Sequence, residues 1–423
     1  MTITLSNIRL HYFVALFLYC AAASSVQPAV IRIAAESEYV TVAQGIAASS
    51  PYDTVLVSGG VYHEDSIRVN HPLTLIGEVG AILDGAGGGE IMRIQSDSVT
   101  IVGLTFRNTE ISFMNDNAAL YLDNVSHCLV ADCIFENNFF GIYLAQSSYC
   151  EIRNNQLTGF GTRESTSANG IHLWYCKNIL VIGNTISGHR DGIYFEFVED
   201  GEIRDNHSSG NHRYGLHFMF SHRCLYENNK FVDNGAGVAV MYTEEVTMIN
   251  NLFARNWGGA AYGLLLKDIT DSRIENNVFF KNSVGIYAEG VSRVTVRHCT
   301  FNDNGWAVKI MANSLDNLFT ENNFISNTFD VATNSSQHYS LFDKNYWSEF
   351  RGYDLDRDGA GDVPYHPVRL FSLLVEKQPP ALMLLRSTFV DLLDLAEKAI
   401  PSLTPKTLID SHPQMAPYEL ERE

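Results

Sequence analysis

Soft metal-binding side chains recur at a regular interval in the middle of the chain. His217 and Met219 sit two residues apart in YGLHFM (214–219), and Met241 follows Met219 by 22 residues in GVAVMYT (237–243). Alternate residues of a strand share a face, so His217 and Met219 point the same way. If 22 residues make one turn of a repeat, Met241 lies one strand further on, about 4.8 Å away. One imidazole and two thioethers at that separation suit cuprous copper (Cu+). The competing reading is an apolar patch for another protein, because exposed Met and aromatic side chains mark adaptable interfaces. His172 and Trp174 stand in the corresponding positions two rungs earlier and belong to the same candidate contact surface. His212 and His222 flank the strand at turns, where an exposed His is ordinary.

A second constellation lies near residue 355. YDLDRDGAGD places Asp354, Asp356, Asp358 and Asp362 at positions one, three, five and nine of a calcium loop, with Gly359 at the sixth. Tyr365 stands where the twelfth-position Glu belongs. Calcium pinning the last coil and a solvated acidic turn both fit this segment. Acid–base chemistry on a polymeric uronate, as in a polysaccharide lyase or C5-epimerase, needs a base and an acid beside cations that neutralise the carboxylate. The YGLHFM strand offers His217 without an Asp or Arg next to it, and Tyr194 with Glu196, or Lys267 with Glu289, are the best substitutes.

The elements that must position these groups form a repeat. An Asn column runs through Asn155, Asn184, Asn206, Asn229, Asn251, Asn277, Asn323 and Asn345, with Cys133 and Cys299 in the same slot. Two residues beyond it stands an apolar column that includes Phe231, Phe253, Phe279, Phe301, Ile325 and Trp347, and three residues before it another that includes Val130, Ile152, Val181 and Ile203. Short alternating strands, three per repeat, predict an all-β fold: a right-handed parallel β-helix solenoid. The Asn column then lines an inward turn and satisfies buried backbone groups. Cys128, Cys150 and Cys224 share an inward slot as core thiols, and the rung spacing permits a Cys128–Cys150 disulfide. The strand after each Gly has two outward columns: Tyr143, His172, Tyr194, His217, Ala239, Leu265, Tyr287, and Ala145, Trp174, Glu196, Met219, Met241, Lys267, Glu289. Insertions at GFGTRESTSA (159–168) and WGGAA (257–261) leave the same turn and rim the His/Met rungs.

The ends depart from the repeat. Residues 1–25, with one Arg and an apolar run from Tyr12 to Ala23, read as a secretory signal peptide in which Cys20 is discarded. Residues 26–350 form the solenoid, opened by a short capping helix at 39–48; residues 351–369 form the Asp-rich loop; residues 370–423 form a C-terminal helix and extended tail. In 381–400 the side chains of Leu382, Leu385, Phe389 and Leu392 gather near one face, while Arg386, Asp391, Asp394 and Glu397 interrupt the run too often for a membrane span. This amphipathic helix either caps the solenoid or docks onto a partner at the membrane surface. A formal net charge of −19 argues against nucleic acid or an anionic membrane as a direct partner.

Several phrases go beyond a generic Gly/Asn rhythm: YGLHFMFSH (214–222), GVAVMYT (237–243), AAYGLLLKDI (260–269), NYWSEFRGYDLDRDGAGD (345–362), and ALMLLRS with TFVDLLDLAE (381–397). In these the chain resembles the NosD family, across essentially its whole length after the leader. The resemblance implies a non-catalytic periplasmic β-helix protein that works with an ABC-type ATPase and permease and with a copper chaperone lipoprotein, helping to supply copper to nitrous oxide reductase. It also implies association with the inner membrane through the permease, on which the tail would dock. It does not name copper ligands, so His217, Met219 and Met241 rest on the repeat alone.

Overall fold

The computed structural model describes residues 28–419 except 113, 260, 336–338, 401–402 and 406. The expected leader, 1–25, lies outside them. Successive coils stack their strands into three parallel sheets of 14, 12 and 13 strands, from Val30–Ile33 to Tyr346–Trp347. Two of the sheets are built almost entirely from three-residue strands in which the middle residue is buried and its neighbours face out, as in Glu151–Arg153 and Gln156–Thr158. The third carries longer strands, up to nine residues in Ala236–Glu244 and Tyr262–Thr270. This is the parallel β-helix that the repeat implies.

The core is built from in-register columns. Phe231, Phe253, Phe279, Phe301, Phe324 and Trp347 stack face to face, with ring centroids 4.1–5.6 Å apart. Each buried ring contributes about 1.5–3 kcal/mol relative to exposure. Beside them runs the Asn ladder. The Oδ1 of Asn184 accepts from the backbone N–H (2.9 Å) and the Nδ2 (3.0 Å) of Asn155, and its own Nδ2 donates to the carbonyl of Ile152 at 2.9 Å. One sequence assignment is corrected. Asn322, not Asn323, holds the slot, accepting from Cys299 N–H at 2.9 Å and passing the ladder to Asn345 at 3.1 Å. Phe324 accordingly replaces Ile325 in the ring column. Both neighbours of an Asn–Asn doublet satisfy the motif, and only the strand register chooses between them.

A second ladder, five residues after the first, was not anticipated. Asn211, Asn234, Asn256, Asn282, Asn304 and Asn327 relay the same backbone-to-Oδ1 bonds at 2.9–3.1 Å. The constant five-residue offset was present in the sequence. The six described cysteines are buried free thiols, and burial pushes Cys133, Cys176, Cys224 and Cys299 up to about 12. Cys128 and Cys150 are free thiols in adjacent coils.

Both ends are covered. Helix α1 (Val42–Ala48) starts at the N-cap Thr41, whose hydroxyl accepts from Gln44 N–H at 3.2 Å, and buries Val42 and Ile46 over the first coil. At the other end α2 (Leu370–Lys377) packs Phe371 against Phe329, with centroids 6.0 Å apart. The single helix expected over 381–400 is broken: a 3-10 turn spans Pro379–Leu384, Arg386 adopts φ 66°, and α3 runs Thr388–Ala399. The tail returns beneath the last coil, where Asp410 ends the Asn ladder, accepting from Asn345 N–H (2.9 Å), Asn345 Nδ2 (3.0 Å) and Trp347 Nε1 (2.9 Å). A carboxylate suits this end because it accepts and has nothing to donate onward.

Candidate functional site

Strand register places both outward columns as the repeat implies. Tyr143, His172, Tyr194, His217 and Ala239 are successive partners, as are Ala145, Trp174, Glu196, Met219, Met241 and Lys267. Met219 and Met241 are therefore neighbours in adjacent coils, and both are half-buried. The first column differs from expectation. Its rings tile one another at the coil spacing: Tyr121–Tyr143 at 4.7 Å, Tyr143–His172 at 4.4 Å, His172–Tyr194 edge-on at 4.8 Å, Tyr194–His217 at 4.6 Å. In consequence His172 is 7% exposed and His217 6%. His172 has no surface to offer a partner, which corrects its assignment as a contact residue.

Beneath these rings lies a charged network. Asp191, fully buried, receives two hydrogen bonds from Arg213, at 2.9 and 2.7 Å. Desolvation works against the charge on Asp191, but the hydrogen-bonded Arg213 guanidinium holds its carboxyl below the usual carboxylate range. Arg213 also lies 2.9 Å from His217 Nδ1. A guanidinium only donates, so Nδ1 accepts and the proton of the neutral ring sits on Nε2. Burial lowers the His217 pKa, consistent with a neutral ring. The same reasoning applies to His172. Arg190 donates to Asn169 Oδ1 (3.3 Å), which turns Asn169 Nδ2 toward His172 Nδ1 (3.0 Å), and burial lowers this ring to about 3. With Nδ1 engaged and Nε2 protonated, His217 has no free lone pair for a metal in this arrangement. Of the expected set, Met219 and Met241 keep half-exposed side chains.

Arg213 and Asp191 also correct the reading that His217 lacks charged neighbours. They belong to turn and strand-start positions one coil apart, invisible along a single strand. Their geometry does not make an exposed acid–base pair, because the His217 and Tyr194 side chains are closed off and Arg213 is occupied by Asp191.

Two further features escaped the sequence reading. Tyr194, clamped between two imidazoles, donates its hydroxyl hydrogen to Met219 Sδ at 3.6 Å. At the turn just past the Trp174/Glu196/Met219/Met241 column, Tyr175, Phe197, Phe220 and Tyr242 adopt φ of 51°, 54°, 49° and 56° and stack at 4.5, 5.1 and 5.0 Å. Bulky residues rarely occupy this left-handed region. Asn124 and Asp268 fill the equivalent turn elsewhere. Four aromatic rings thus border the thioethers on the open side, with Tyr175 and Tyr242 exposed. Trp174 is half-buried and meets Tyr175 edge-on at 4.8 Å. The 159–168 insertion is held to the turn before the Tyr214–Met219 strand by a 2.6 Å contact between Gly161 O and His212 Nε2, which gives His212 a structural task.

In the acidic loop, oxygens of Asp354, Asp356 and Asp358 lie within 4.8 Å of one another. Asp358 crowds Asp356 and raises its pKa. Asp362 stands apart from that group and accepts from Leu355 N–H at 2.6 Å. On the C-terminal helices, Leu382, Phe389 and Leu392 are exposed, by 39%, 45% and 63%. Leu385 instead turns inward with the cluster around Phe329, Phe371, Val375 and Val390. Among the described residues no helix is long and apolar enough to cross a membrane.

The family described as "Periplasmic copper-binding protein (NosD)" matches residues 160–354, the coils that carry both thioethers, ending at Asp354, the first aspartate of the acidic loop. A protein of Pseudomonas aeruginosa named "Probable ABC transporter binding protein NosD" is 30% identical over 374 residues, covering 82% of this chain and 85% of its own. A protein of Stutzerimonas stutzeri with the same name is 26% identical, covering 84% and 85%. Among solved structures, the catalytic domain of a GH87 alpha-1,3-glucanase superposes with a TM-score of 0.59 at 12% identity, covering 75% of this chain and 69% of its own, a likeness of fold alone. By the extent of the match to its relatives, this chain belongs to the NosD family.

Proposed function

We propose that this chain is a periplasmic, non-catalytic accessory protein that docks on an ABC transporter and handles cuprous copper on its way to nitrous oxide reductase. The observation that carries the reading is the pair Met219 and Met241, side by side and half-buried in adjacent coils. Thioethers select Cu+ over harder ions and hold it weakly enough to release, as cargo handling requires. The family's description as copper-binding and periplasmic supports this. The relatives' shared name supports a transporter partner, comprising an ATPase and a permease.

The exposed Leu382, Phe389 and Leu392 form the surface on which the permease is received, placing the protein at the inner membrane. Trp174 and the bordering aromatic strip receive the proteins that exchange copper, a chaperone lipoprotein on one side and the reductase on the other. Calcium at Asp354, Asp356 and Asp358 holds the acidic loop against the returning tail, where Gly359 O accepts from Met415 N–H at 3.0 Å.

The rival reading, a lyase or C5-epimerase, gains one observation: Tyr194, His217, Arg213 and Asp191 do gather in one place. The burial of Asp191, Tyr194 and His217 speaks against contact with a polymer there. The deciding experiment is anaerobic Cu+ titration against a competing chelator, wild type beside the Met219→Ala, Met241→Ala double variant. Saturable binding lost in the variant is the expected result. Wild type without binding, or uronate cleavage by the purified protein, would overturn the reading.

A further inference from the structure

We propose that Tyr194 is the positioning residue of the thioether site: its buried hydroxyl binds one lone pair of Met219 and thereby aims the other at the cation shared with Met241. The inference rests on the reading of Met219 and Met241 as ligands. A methionine side chain has three rotatable bonds and no preferred direction for its sulfur. An unsupported pair of thioethers would have to be frozen by the cation itself, at the expense of affinity. Here one of the two is already held.

The holding group cannot easily move. The Tyr194 ring is 9% exposed, with His217 stacked on one side at 4.6 Å and His172 edge-on at 4.8 Å on the other. His217 is fixed in turn by Arg213, and Arg213 by the buried Asp191. The chain of contacts therefore runs from a buried ion pair, through an imidazole and a phenol, to one sulfur atom 3.6 Å from the hydroxyl. This gives the buried histidines a role that does not require them to touch metal. It also accounts for the charged network beneath a face that would otherwise be simpler to pack with aliphatic residues.

The test compares wild type with Tyr194→Phe, which keeps the ring and its stacking and removes only the hydroxyl. Tyr143→Phe is the control: it is an equally buried ring in the same stack, 4.4 Å from His172. Cu+ affinity is read by anaerobic chelator competition. Separately, the methionine methyl groups of the metal-free protein are followed by carbon-13 NMR, assigned through Met219→Ala. Tyr194→Phe is expected to weaken Cu+ about five-fold, the factor that one hydrogen bond of ordinary net strength is worth. It is also expected to shift and broaden the Met219 methyl signal without metal, while Tyr143→Phe changes neither. Unchanged affinity in Tyr194→Phe, with wild type binding, overturns the inference and leaves the thioether site standing. Equal losses in both Phe variants overturn it in favour of general loosening of the stack. If wild type binds no Cu+, both the site and the inference fall, whatever the methyl signal does.

Discussion

Two ring stacks run through this molecule, and they do different work. The inner stack, Phe231 to Trp347, runs beside the Asn ladder and meets a charge only at its end, where Trp347 donates to Asp410. The outer stack, Tyr121 to His217, uses the same coil spacing but mixes phenols and imidazoles over a buried Asp–Arg pair and ends on a thioether. The inner stack tolerates repetition because every coil presents the same environment. The outer one is individual at each rung, which is what a site requires and a core does not.

The comparison breaks most visibly through the inner stack. Phe279→Ala, at a fully buried position between Phe253 and Phe301, is expected to cost about 3–5 kcal/mol in urea unfolding. Cu+ binding by the molecules that remain folded should be unaltered. A cost below about 1 kcal/mol would mean that the solenoid is not held by this column.

In the outer stack, Asp191→Asn removes the anion that saturates Arg213, and should cost about 2–3 kcal/mol, below the range for a fully buried pair because Arg213 is partly exposed. The sign with pH is fixed. The folded carboxyl lies below its ordinary value, so its stabilisation is present above that ordinary value and disappears as pH falls through the folded one. The gap between wild type and Asp191→Asn should therefore be full at pH 7 and close in acid.

Asp330, in the last long strand, has the opposite sign. Burial raises it to about 7, so the favourable neutral form is complete below the ordinary carboxylate value, and stability is lost as pH rises from there through about 7. Asp330→Asn is expected to gain about 2 kcal/mol at pH 8 and little at pH 4. Melting curves at the two pH values decide it. The smallest effect is at the turn beside the thioethers. Tyr242→Asn replaces a ring at φ 56° by a residue that accepts that conformation, and should gain about 1 kcal/mol while removing an exposed aromatic. Lower stability in that variant would show that ring stacking outweighs backbone strain there.

Much of this was legible residue by residue. The columns through Met219, Met241, Tyr194 and His217 follow from period-two alternation combined with a 22- or 23-residue repeat, and the strand register agrees. The doublet Asn322–Asn323 shows the limit, since a shift of one residue keeps the motif and changes which side chain enters the ladder. The helix over 381–400 was misjudged because its apolar spacing continues through Leu385–Arg386, where the backbone turns left-handed and ends the 3-10 segment.

Sequence alone determined the solenoid, its inward ladders and the rung on which each soft side chain sits, because periodicity is a property of one chain read against itself. Tertiary structure alone decided that His217 is buried with Arg213 against its Nδ1, that Asp191 lies beneath it, and that Tyr194 reaches Met219. Those facts depend on contacts between coils, and on which atoms lose access to water when the coils close. Exposure and hydrogen-bond direction are not carried by spacing.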